Sequence, residues 1–111
     1  MAAPPANPNH AQIAEVVPHL VALTQSVLFG DVWERPGLSK RDRSLITCAA
    51  LVATYRPEQL RGHIARALAN GLTIEELGEM ITHLAFYSGW PGSMSASKIL
   101  AEIAAERAAK E

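Results

Sequence analysis

Glu75, Glu79, His83 and Tyr87 recur every fourth residue, so a helix would stack them along one face. There Glu79 would orient or polarise His83, an acid–base pair suited to neutral pH. The same spacing also describes a solvated polar face, where glutamate–histidine pairs one turn apart are common. His63 is a second candidate, flanked by Leu60, Ile64 and Ala67, with Arg56, Gln59 and Arg66 as its neighbours along the helix. A hydrogen-bonded structural role and an acid–base role fit it equally. Trp33, Glu34, Arg35 and Pro36, followed by Arg41 and Arg43, gather positive charge beside a helix start, where backbone donors favour anions. A guanidinium there can grip a carboxylate bidentately, although an ordinary charged cap has the same composition. Tyr87 and Trp90 near a helix end serve as packing anchors or as pocket walls. The four histidines form no HxxxH or HExxH motif and no cluster with cysteine, so no metal site is expected.

The elements that must position these residues are clearly punctuated. A first helix is expected from about residue 12 to 28, with Pro18 kinking it or starting its main part. Residues 30–38 form a loop. Ser39 then caps a second helix, with Asp42 near its positive end and Leu45, Ile46, Ala49, Val52 and Ala53 as the apolar stripe. Pro57 seats the first turn of a third helix, which Gly71 ends in the left-handed conformation. Thr73 and Glu76 make a capping box for a fourth, from 74 to about 88, with Ile74, Leu77, Ile81, Leu84 and Ala85 facing inward. A fifth starts near Pro91 and runs to about 107. No strand alternation occurs, so the chain reads as all-α, its third and fourth helices forming a tight hairpin. Residues 1–11 read as a flexible tail and 12–111 as one domain.

Composition narrows the function. Ten basic against eleven acidic residues leave the chain near neutral, which is poor material for a phosphate-backbone footprint. The stretch from Ala67 to Leu77 resembles a helix-turn-helix in outline, but its second helix begins with Glu75, Glu76 and Glu79, which phosphates repel. No nucleic-acid partner is expected. Nor is a membrane, since no apolar run approaches the roughly 20 residues of a span. The lone Cys48 excludes an internal disulfide and suits a reducing, cytoplasmic setting. Aromatics are 5% of the chain, so the core is built from alanine and branched aliphatics. Extra burial by self-association is expected.

One stretch carries a further signal. Residues 29–91 read Phe-Gly-Asp-Val-Trp-Glu-Arg-Pro-Gly-Leu-Ser, then Arg41-Asp42-Arg43-Ser44-Leu45-Ile46-Thr47, then Leu60-Arg61-Gly62-His63. Ala67-Leu68-Ala69-Asn70-Gly71-Leu72-Thr73 and Tyr87-Ser88-Gly89-Trp90-Pro91 complete the order. This closely resembles the decarboxylase branch of the carboxymuconolactone decarboxylase family. The resemblance implies an alkylhydroperoxidase D-like helical subunit of about five helices, assembled as a homotrimer or homohexamer. It implies His63 as the catalytic residue, since His63 ends the family's Glu-Leu-x-x-His pattern, here Glu58-Gln59-Leu60-Arg61-Gly62-His63 with Gln59 added. The peroxidase branch places a CxxC pair before that histidine and a relay glutamate upstream. Those places hold Arg56, Gln59 and Ser44, so a dithiol peroxidase mechanism is excluded.

The implied reaction converts 4-carboxymuconolactone, or a related lactone acid, to an enol-lactone and CO₂ in aromatic-acid breakdown. It needs no cofactor, because the unsaturated lactone is its own electron sink. Arg35, with Arg41 or Arg43, would hold the substrate's carboxylates. Trp33, Tyr87 and Trp90 would form the apolar wall around the departing one. His63 would protonate the dienolate or donate to its oxygen, with His83 tuned by Glu79 as the second candidate. The same scaffold acting on another substrate, as a lactone isomerase for instance, is the alternative.

Overall fold

A computed structural model describes residues 8–111 of the chain. Among these residues the structure is all-α: α1 (Pro8–Val16), α2 (Pro18–Leu23), α3 (Lys40–Ala53), α4 (Pro57–Ala69), α5 (Ile74–Ser88) and α6 (Trp90–Lys110). The single first helix of the sequence reading is thus two. Pro18 cannot donate to the preceding turn and opens α2, with Val17 in a non-helical conformation before it. Helix α1 opens at Pro8, within the stretch read as a tail, and residues 1–7 lie outside the described residues. A π-helical segment, Thr24–Phe29, continues α2. Gly30 follows it, where a Cβ would meet the carbonyl oxygens of Ser26 and Gln25 at 2.6 and 2.9 Å. The wide π turn thus requires the residue that has no side chain.

The chain divides into two compact units, Met1–Lys40 and Arg41–Glu111. In the second, Cys48, Val52, Leu60, Ile64, Ala67, Leu72, Leu77, Ile81, Ala96, Ile99, Leu100 and Ile103 form one buried cluster without an aromatic ring. The buried face of α3 is Ser44, Cys48 and Val52, one turn apart. Ile46 and Ala53, read as core, face outward, because a run apolar on several sides does not reveal which side is inner.

Helices α4 and α5 do not form the expected hairpin. Both pack on α6, which is long enough to serve them together. Arg61 of α4 pairs with Glu102 and reaches Glu106 at 3.8 Å along α6. The buried Ser93 hydroxyl of α6 donates to the Ile81 carbonyl of α5 at 2.9 Å. The capping box forms as expected, with Glu76 N–H donating to Thr73 Oγ1 and Thr73 N–H to Glu76 Oε1, both at 3.0 Å.

Helix α4 ends in a Schellman motif: Leu72 N–H donates to the Ala67 carbonyl at 3.0 Å, with Gly71 at φ 106°. Helix α3 ends in the same way, with Arg56 N–H donating to the Leu51 carbonyl at 2.9 Å, but its left-handed residue is Tyr55 at φ 56°. A tyrosine there costs about 1–2 kcal/mol that glycine does not. Tyr55→Gly is therefore expected to raise the melting temperature by several degrees. A lower value would mean that the exposed ring contributes more than its backbone strain costs.

Candidate active site

His63 lies on α4 with its ring half-buried and its Nδ1 out of contact with solvent. Burial, followed by the charge of Arg66 one turn on, holds its pKa below that of an ordinary histidine. The imidazole is thus neutral at pH 7, where one ring nitrogen can donate and the other accept. Arg66 is itself half-buried, and desolvation lowers its pKa too. A partly desolvated cation near an imidazole is a natural place for a carboxylate. Sequence reasoning noted Arg66 only as a neighbour of His63, although three-residue spacing on a helix was the signal that joins them. At the end of α4, Asn70 Nδ2 donates to the buried Ser44 Oγ of α3 at 3.0 Å. Ser44 therefore ties two helices together.

The other arginines are distributed differently from the sequence expectation. Arg41 pairs with Glu76 at the start of α5 and with Asp42 at 3.3 Å. Backbone hydrogen bonding at Thr73, followed by the Arg41 charge, lowers the pKa of Glu76. Arg41 thus carries an α3–α5 link. Arg43 is half-buried on α3, with its Nε shielded from solvent. In the first unit, Arg35 is exposed and 3.8 Å from Asp31, and Lys40 pairs with Glu34 at 3.0 Å. Trp33 is buried and stacks on Phe29, with ring centroids 5.9 Å apart.

A third grouping occupies the corner where α5 passes into α6. His83 stacks on Tyr87, with centroids 4.8 Å apart and planes at 25°. Phe86 meets Trp90 edge-on at 5.5 Å. Both His83 and Glu79 are exposed, and no hydrogen bond or ion pair joins them among the described residues. The partner of His83 is thus a ring rather than a carboxylate. Phe86 was absent from the sequence-derived wall: it lies on α5 and Trp90 on α6, so the corner between the helices, not helix spacing, brings the two rings together. Gly89, at φ 111°, separates the two helices and sets the corner.

Cys48 is fully buried, as expected of a small apolar side chain, and burial pushes its thiol up to about 11. A thiolate nucleophile is not accessible there. Among the described residues, no helix is long and apolar enough to cross a membrane.

A family model described as carboxymuconolactone decarboxylase family matches residues 18–102. Over 75 residues the chain is 43% identical to a 4-carboxymuconolactone decarboxylase of Acinetobacter baylyi, covering 68% of this chain and 56% of that protein. It is 37% identical over 68 residues to the nitrosuccinic acid decarboxylase npaB of Metarhizium robertsii, covering 61% and 48% of the two chains. An uncharacterized 15.0 kDa protein of Paracoccus denitrificans, from the nqo9-nqo10 intergenic region, is 31% identical over 94 residues, 83% of this chain and 70% of that one. The chain thus spans about half the length of the two named decarboxylases.

Proposed function

The chain belongs to the carboxymuconolactone decarboxylase family, and from that premise we propose that it decarboxylates 4-carboxymuconolactone or a closely related acid without a cofactor. The observation that carries the reading is the half-buried His63–Arg66 pair on α4, in a chain whose named relatives are decarboxylases. The bond between the ring carbon and the carboxylate breaks, and CO₂ leaves. Its electron pair passes through the ring double bond to the lactone carbonyl oxygen, forming a dienolate. One proton then returns to carbon.

Three tasks follow for the protein. Arg66, with Arg43 as a further carboxylate partner, holds the anionic substrate. Neutral His63 donates its N–H to the oxygen on which charge develops; a neutral imidazole is the better-matched donor to an enolate in a partly dry site. His83, on the open corner, is the second candidate for the proton that reaches carbon. Tyr87 and Trp90 remain the proposed wall against the departing carboxylate. The assembly we propose is a homotrimer or homohexamer, and the setting is cytoplasmic breakdown of aromatic acids.

A second substrate class has its own support. Nitrosuccinic acid, which names the Metarhizium relative, also carries an electron-withdrawing group close to a carboxylate. The shared chemistry is an acid that supplies its own electron sink. An ultraviolet assay with freshly generated 4-carboxymuconolactone tests the proposal. Turnover to enol-lactone and CO₂ supports it. No turnover by folded, assembled protein removes this substrate, and nitrosuccinate is then the acid to try.

A further inference from the structure

Gly62 stands in the middle of α4, where nothing inside the chain accounts for it. Gly30 lies where a Cβ would press on carbonyl oxygens, and Gly71 and Gly89 have positive φ. Gly62 has neither reason. Its φ is negative, and beyond its chain neighbours and its own helix backbone nothing among the described residues comes within 4 Å of where a Cβ would stand. It is also exposed. A glycine inside a helix weakens it relative to alanine, because the glycine backbone loses more freedom on folding. A destabilising residue that no internal packing requires points to a molecule outside the chain that approaches the backbone there.

The neighbours of Gly62 say which molecule. Seen down the axis of α4, Arg66 falls between Gly62 and His63, roughly 40° from the first and 60° from the second. His63 is half-buried at the inner edge of this face, next to the core, and Gly62 is exposed at the outer edge, with half-buried Arg66 between them. Helical side chains slant toward the N-terminus, so Arg66 leans toward the turn that contains Gly62. Gln59, on the same face, slants away from it toward the helix start. On the other flank Arg61 pairs with Glu102 of α6, which draws it off this face.

We infer that Gly62 is a specificity-determining residue: it leaves the backbone of α4 bare beside Arg66, so that a flat ring can lie against the helix while Arg66 grips the carboxylate the ring carries. The inference rests on the functional reading above and deepens it, by assigning the shape of the site to a residue without a side chain. With a carboxylate on Arg66 and the reacting carbon toward His63, the rest of a cyclic acid extends outward over position 62. A methyl group there would stand between ring and backbone, and a planar ring cannot bend around it. An acyclic acid turns about its single bonds and passes the methyl group with little loss. Discrimination of this kind, by space rather than by charge, is what one added methyl group in a fitted site changes.

Gly62→Ala tests the inference, with Gly78→Ala as the control, since Gly78 is interior to α5 and also has nothing within 4 Å of a Cβ. Both variants are expected to melt a few degrees above the wild type. Only Gly62→Ala should raise KM for 4-carboxymuconolactone, by roughly 10–200-fold, with kcat little changed. A merely structural glycine would not make the protein more stable and the substrate weaker-bound at once. Wild-type KM in Gly62→Ala overturns the inference and leaves the function standing, and an equal rise in Gly78→Ala overturns it too. So does a changed mass of Gly62→Ala in light scattering, because the bare backbone would then serve a second copy. Direct binding separates the inference from the functional reading. In NMR titrations 2-furoate, a flat five-membered ring with one carboxylate, is expected to bind Gly62→Ala at least tenfold more weakly than the wild type, whereas acyclic succinate binds both alike. That result without decarboxylase turnover counts against the function alone. Equal furoate binding by the two proteins, or none by the wild type, overturns the inference.

Discussion

His63→Ala is expected to lower turnover of 4-carboxymuconolactone by roughly 10²–10⁴-fold, the contribution of a well-positioned acid–base or hydrogen-bonding group. The loss should fall mainly on kcat, because the bond to the dienolate oxygen strengthens only as charge develops there. Arg66→Ala should instead raise KM, since the carboxylate is bound before and during reaction. His63→Gln keeps an N–H donor at the site and is expected to retain more activity than the alanine variant. Wild-type turnover by folded, assembled His63→Ala would remove His63 from the mechanism.

The pH dependence sharpens this prediction. Burial and the Arg66 charge place the His63 pKa below the ordinary 6.5. A neutral donor predicts kcat/KM level from about pH 6.5 to 8, whereas an imidazolium acid in the free enzyme would lose about tenfold per unit over that range. Stability follows the same proton. Above the unfolded value the ring is neutral in both states and costs nothing. As pH falls below it, the unfolded chain takes up the proton first, so stability present at neutral pH is lost toward the lower folded pKa. His63→Gln should flatten that acid limb in urea titrations, and an unchanged limb would mean that the ring is not held neutral by the fold.

Ile64→Ala is expected to cost about 2–5 kcal/mol, the range for emptying a closed aliphatic site. Ile64 is fully buried and next to the half-buried His63 in sequence, roughly 100° around α4 from it. Because no ring occupies the core of the second unit, each aliphatic side chain there carries a larger share of the buried area. With roughly 4–8 °C of melting temperature per kcal/mol in a domain of this size, a drop of roughly 10 °C or more should appear in a thermal scan. A change below about 1 kcal/mol would mean that the site collapses around the missing atoms. Comparison with His63→Ala, whose effect should fall on turnover, separates the packing role of α4 from its chemical one.

Local signals in the chain were sufficient for several elements. The Thr73–Glu76 box, the Gly71 stop and the Pro57 start act within one turn, and their backbone groups have nowhere else to bond. The all-α class, the buried Cys48 and the family followed from residues near one another in the chain. Other features depended on distant residues. Nothing near Tyr55 marks it as the left-handed end of α3, since glycine or asparagine is the usual signal. The short turn from 70 to 73 suggested a hairpin, yet α4 and α5 both pack on α6, which buries more residues than either of them, from Ser93 to Ile103.

The candidate site divides along the same line. His63 and Arg66 share a helix face by spacing alone, so the sequence by itself determined their pairing, and the tertiary structure added the burial that keeps the imidazole neutral. Arg41 was eligible for substrate by charge and position, but Glu76 comes from another helix, and only folding brought the two together. Whether an aromatic ring is core or surface is likewise a matter of what packs against it. Phe86, Tyr87 and Trp90 have the side chains of a core and the exposure of a surface, because α6 turns away at Gly89 and leaves them outside the aliphatic cluster. Helical periodicity is a property of the chain, whereas burial belongs to the contacts between its helices.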